Sequence, residues 1–157
     1  MSPPMQRSSL SWTVVESGDR WFQAVLRFTA GSMPHDRQSI RHLSIAAASE
    51  LAQEVGTDDD RLRIVLWEVP ADPAVWLHLI DLIATLRRRD ARRVQLAHLP
   101  TPASRAAGLA VQAAGVTVLL GELWTLEPLA CRLASRVAMA RGGTPRAPAM
   151  GVSGGSR

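Results

Sequence analysis

Residues 12 to 28, Trp-Thr-Val-Val-Glu-Ser-Gly-Asp-Arg-Trp-Phe-Gln-Ala-Val-Leu-Arg-Phe, decide the fold, because two parses compete for them. In one, a strand ends at Thr13 to Val15 and a helix follows from Asp19 to Ala30, with Phe22, Val25 and Leu26 on one side. In the other, Ser17, Gly18 and Asp19 form a turn and Trp21 to Phe28 returns as the second strand of a hairpin. The first parse makes the chain a strict alternation of strands and helices. The second opens it with an antiparallel pair.

The remainder of the chain favours alternation. Apolar runs recur at His42 to Ala46, Ile64 to Val69, Val94 to Leu99 and Val116 to Leu120, and each is followed by a helix-like stretch. Strands separated by helical crossovers lie parallel, so the predicted fold class is α/β, a doubly wound five-stranded parallel sheet of flavodoxin-like type. Ile64 to Trp67 lacks alternation, as expected of a central strand buried on both faces. Trp76, Leu79, Ile80 and Ile83 recur at helical spacing, as do Leu126, Leu129, Leu133 and Val137. The second helix, Ala48 to Val55, is short. The fourth, Ala103 to Ala114, is rich in alanine and can approach a sheet or a partner closely. Asp72 before Pro73 and Thr101 before Pro102 have the form of helix N-caps, and Gly31, Gly56 and Gly115 fall where C-caps are expected.

Residues 1 to 11 and 141 to 157 lack this periodicity and are expected to be disordered tails around one domain, residues 12 to 140. A hydrophobic fraction of 46% in 157 residues suffices for one core. No run is long enough to cross a membrane and the N-terminus is polar, so a soluble, cytoplasmic protein is expected. The only cysteine, Cys131, is expected to be a small buried side chain. The net charge of +4 comes from the ends: four of the 18 arginines (Arg7, Arg141, Arg146 and Arg157) lie outside the patterned region, and the others balance the 14 acids. Nucleic acid is therefore not an expected partner. The cluster Arg87, Arg88, Arg89, Arg92 and Arg93 falls before the fourth strand, where Asp58, Asp59 and Asp60 are expected to screen it. There is no lysine, which excludes any mechanism that needs one.

The order of elements and the residues closing the strands resemble the receiver domain of bacterial response regulators (CheY-like) over about residues 12 to 139. The resemblance places Glu16 and Ser17 at the acidic pair and Glu68 at the phosphoacceptor. It places His98 or Ala97 at the hydroxyl position, and Glu122 and Leu123 at the lysine-proline pair. A second register puts Leu66 at the acceptor, but Glu68 keeps Arg61 and Arg63 out of the buried part of the strand. The hairpin parse is similar instead to the STAS family of partner-binding domains, but Val69-Pro70-Ala71-Asp72 lacks the expected Asp-Ser-Ser-Gly-like loop.

Phosphoryl transfer to a receiver needs a carboxylate acceptor, a divalent metal held by acids and a lysine to stabilise the acylphosphate. Here Glu122 reverses the lysine's sign, and Glu68 is a methylene longer than aspartate. Glu16, Asp19, Glu68, Asp72 and Glu122 could gather a magnesium ion, but Asp19 and Asp72 serve more simply as helix caps, so no metal, cofactor or catalytic residue is expected. His98 is expected to be a hydrogen-bonded filler. The resemblance implies a non-catalytic pseudo-receiver in two-component signal transduction, phosphorylation-independent and acting through a protein partner. Self-association through helix 4, strand 5 and helix 5 is one form of this, with Trp67, Trp124, Leu126 and Leu129 as interaction residues. Without an output domain, such a chain is expected to act through another protein. The alternatives are a STAS-like regulator and a flavodoxin-like nucleotide- or flavin-binding protein, for which the acidic Glu16-Ser17-Gly18-Asp19 loop is unfavourable.

Overall fold

The computed structural model describes residues 10–30, 38–54, 61–90, 92–99 and 105–141. Five strands alternate with five helices: β1 (Leu10–Val15), α1 (Arg20–Thr29), β2 (Gln38–Leu43), α2 (Glu50–Gln53), β3 (Leu62–Glu68), α3 (Pro73–Arg89), β4 (Val94–His98), α4 (Arg105–Ala114), β5 (Val118–Leu120) and α5 (Leu126–Arg141). The strands form one parallel sheet in the order β2-β1-β3-β4-β5. The hairpin, and with it the STAS-like alternative, is excluded: β1 pairs in parallel with both β2 and β3, and residues 20–29 are helical.

The period of two along each strand divides the core. Leu10, Trp12, Val14, Ile64, Leu66 and Leu96 face α1 and α5, where Trp21, Val25, Leu126 and Leu133 meet them. Val15, Val65, Trp67 and Ala97 face the other way, onto Leu79, Ile83, Leu86 and Val111. β3 is central and buried on both sides, as its unbroken apolar run implies. A hydrogen-bond relay crosses this second layer. Trp67 Nε1 donates to Gln95 Oε1 at 3.0 Å and Gln95 Nε2 donates to the Ile83 carbonyl at 3.0 Å, which satisfies both buried polar side chains.

Several expected boundaries and faces are corrected. β2 is an edge strand at Gln38–Leu43, four residues before the apolar run His42 to Ala46, because an edge strand has no need of a continuous apolar sequence. β1 starts at Leu10, and α5 extends to Arg141. The buried face of α1 is Trp21, Ala24, Val25 and Thr29, while Leu26 is exposed. On α5 the buried positions are Leu126, Ala130 and Leu133, one helical phase that leaves Cys131 in solvent. Arg93 is buried, not a surface charge, because it leads into β4 beside Arg63. The expected caps at Gly31, Gly56 and Thr101, and the Asp58 to Asp60 run, lie outside the described residues.

Gly115 does close α4. Its φ is 130°, its N–H reaches the carbonyls of Val111 and Gln112, and a Cβ there would stand 2.8 Å from Arg87 Cβ. A side chain is excluded both by the backbone conformation and by the close approach of α3.

Candidate functional site

The parallel sheet brings the C-terminal ends of β1, β3 and β4 together. Glu16 follows β1, Glu68 ends β3 and is paired in register with His98 at the end of β4. The Val69 amide extends that pairing by donating to the His98 carbonyl at 2.9 Å. Leu66 is wholly buried on the α1/α5 side of the sheet and away from this edge, so of the two registers only the one with Glu68 puts a carboxyl there.

Glu16 is 1% exposed, and both its oxygens are engaged. Oε2 accepts from the Trp21 amide at 2.9 Å and Oε1 from the Phe22 amide at 2.8 Å. These are two of the orphan N–H groups at the start of α1, where the helix dipole also favours negative charge. Hydrogen bonds to a charged acceptor are worth about 1.5–3 kcal/mol each. Asp19, expected to be the cap, makes no side-chain capping bond; the role passes to a residue five positions before the capped amide. Asp72 does cap α3, accepting from the Ala74 amide at 3.0 Å. His42 approaches Glu16 from the β2 side, Nε2 to Oε1 at 3.4 Å, and stacks on Phe22 at 4.8 Å between ring centroids.

Glu68 is half-buried, and Ser17 Oγ lies at hydrogen-bond distance, 3.5 Å from Oε1. Burial first, then the Glu16 carboxyl beside it, raise the Glu68 carboxyl above the ordinary glutamate range; Ser17 and the charge of Arg20 oppose this more weakly. His98 is shifted down by burial and by Arg20, against the pull of Glu122, so it is neutral at pH 7 and supplies no positive charge in place of the missing lysine. It packs against the Trp21 ring at 4.9 Å. Glu122 is exposed beyond β5. Among the described residues, no three His, Cys, Asp or Glu side chains come together as a metal site.

The structure thus brings Glu16, Ser17, Glu68 and His98 to one edge and adds two residues that the sequence did not single out: Arg20 and His42. The interaction residues divide differently. Trp67 and Leu126 are wholly buried and Leu129 packs half-buried against the α1/α5 core, so these three are corrected to core positions. Trp124 alone of the four is open, at 65% exposure.

No protein-family model matches the chain, and no curated protein matches it in sequence. Solved structures do match it in shape. A CheY-like protein from Pseudomonas aeruginosa is 12% identical with a TM-score of 0.61, over 82% of this chain and 95% of the other. A response-regulator receiver domain from Rhodospirillum rubrum is 11% identical with a TM-score of 0.58, over 80% and 94%. A protein from Burkholderia pseudomallei described as pilus assembly-related is 16% identical with a TM-score of 0.53, over 87% and 96%. The fold is therefore that of CheY-like receiver domains.

Two predictions follow from the edge. Replacing Glu16 by Ala destabilises the protein by about 2–3 kcal/mol in urea unfolding, from the lost cap and its charged hydrogen bonds, whereas Asp19→Ala stays within about 0.5 kcal/mol as an ordinary surface change. The second concerns pH. The folded state holds the Glu68 proton more tightly than the unfolded chain, so its contribution to stability is complete below the unfolded-state value and is lost as pH rises through the folded-state one. Glu68→Gln, neutral at every pH, should therefore gain stability relative to the parent between pH 4 and pH 7, read as diverging urea midpoints.

Proposed function

We propose that this chain is a degenerate receiver that signals by protein contact and not by accepting a phosphoryl group. The observation that carries the proposal is the engagement of Glu16: the acid standing where a receiver would ligate its metal spends both oxygens on the amides of α1. With Glu68 at the acceptor position, a neutral His98 and the acidic Glu122 put no cation at the position of the lysine that would stabilise an acylphosphate. The same engagement disfavours the flavodoxin-like alternative, since the helix N-terminus that would cradle a phosphate already donates to a carboxylate.

Contact is proposed to run through the face of α4, β5 and the start of α5. Leu109 (57% exposed), Leu119 (36%) and Trp124 (65%) are exposed there, and Gly108 lets α4 sit close to β5, with 3.4 Å between its would-be Cβ and Leu119 Cδ1. Isolated exposed apolar side chains are ordinary, but tryptophan is the residue most enriched in binding hot spots. The likeness to a pilus assembly-related protein supports a protein assembly as the setting.

Incubation with acetyl phosphate and magnesium should leave the intact mass unchanged, and beryllofluoride with magnesium should leave tryptophan fluorescence unchanged. A phosphoryl adduct, or a saturable fluorescence change, would overturn the proposal.

A further inference from the structure

At the opposite end of the sheet, where the strands begin, a cavity of about 490 Å³ opens on the α2/α3 face, within the size range of small-molecule sites. Its origin is local. Strand register places Ser11, Ser39 and Arg63 in one row, and Thr13, Arg41 and Val65 in the next, while α2, a single turn at Glu50–Gln53, is too short to cover them. Polar side chains thus line a sheet face that elsewhere is core.

Four arginines, Arg41, Arg61, Arg63 and Arg93, border this cavity. The described acids beside them are Glu54, paired with Arg41, and Asp90, shared between Arg63 at 3.3 Å and Arg93 at 3.6 Å. Arg93 is 5% exposed, and its Nε and Nη1 are buried without a hydrogen-bond acceptor among the described residues. Nε has only the long ion pair with Asp90, and a buried guanidinium whose donors lack hydrogen bonds is costly. Burial first pulls its proton affinity down, with Arg63 and Arg41 adding to this, while Asp90 and Glu54 oppose it.

We propose that this cavity binds a small phosphorylated molecule of about mononucleotide size. Planar guanidinium forks match phosphate oxygens bidentately. The hydroxyls of Ser11, Thr13 and Ser39 add donors, and Leu51 and Val65, on the same face of the sheet, offer apolar wall to an organic group. The site is at the far pole from the receiver edge, so it stands or falls independently of the function proposed above.

Titration calorimetry on the full chain at fixed ionic strength, with AMP, inorganic pyrophosphate and adenosine as probes, tests it. Saturable binding of AMP or pyrophosphate, and none of adenosine, is expected. Arg41→Gln, at a half-exposed position where folding is safe, and Arg93→Met should each weaken binding about tenfold or more. Arg92→Gln, outside the cavity, should not. Pyrophosphate bound as tightly as AMP would mean that a free phosphate anion is the ligand; preference for AMP would mean an organic phosphate. The proposal is overturned if neither phosphate binds at millimolar concentration, if adenosine binds as well as AMP, or if Arg41→Gln weakens binding no more than Arg92→Gln.

Discussion

The carboxylate of Glu16, with one oxygen on the Trp21 amide and the other on the Phe22 amide, ties the end of β1 to the beginning of α1. The rest of the edge depends on that small unit. It fixes the direction in which α1 leaves the sheet, and therefore the way Trp21 and Val25 enter the core beside Trp12 and Leu126. It also places a buried negative charge next to Glu68, which raises that carboxyl's proton affinity. One constraint thus serves structure and restricts chemistry, because a carboxylate whose two oxygens each accept from a helix amide has less capacity left for a divalent cation.

Among the described residues, different charged groups gather at the two ends of the strands. Where the strands end, acids predominate: Glu16, Glu68 and Glu122, with Arg20 as the cation whose field reaches Glu68 and His98. Where they begin, Arg41, Arg61, Arg63 and Arg93 gather around a cavity left open by the one-turn helix α2. A composition without lysine makes this second pole a guanidinium surface, suited to forked recognition of oxyanions.

Much of this architecture was legible in the sequence where the physics is local and strong. The unbroken run Ile64 to Trp67 announced a doubly buried central strand, and Asp72 before Pro73 announced the start of α3. Edge strand β2 was misplaced because its exposed, polar alternation looks like loop. Leu26 and Cys131 were assigned the wrong face, since one step along a helix rotates the side chain and spacing alone leaves that phase loosely set. Neither the capping role of Glu16 nor the burial of Arg93 had a sequence signal. The first arises from chain geometry three residues before the usual cap position, and the second from strand pairing between distant segments.

The central claim is that Glu16 is bonded to α1 and stays bonded in the presence of metal. Amide chemical shifts of Trp21 and Phe22, followed by nuclear magnetic resonance during a magnesium titration of the parent protein and of Glu16→Gln, test it directly. The account predicts that both amides move on substitution of Glu16 and hold still as magnesium is added. A saturable magnesium-dependent shift of these two amides in the parent, lost in Glu16→Gln, would show the carboxylate turning to a metal and would contradict it.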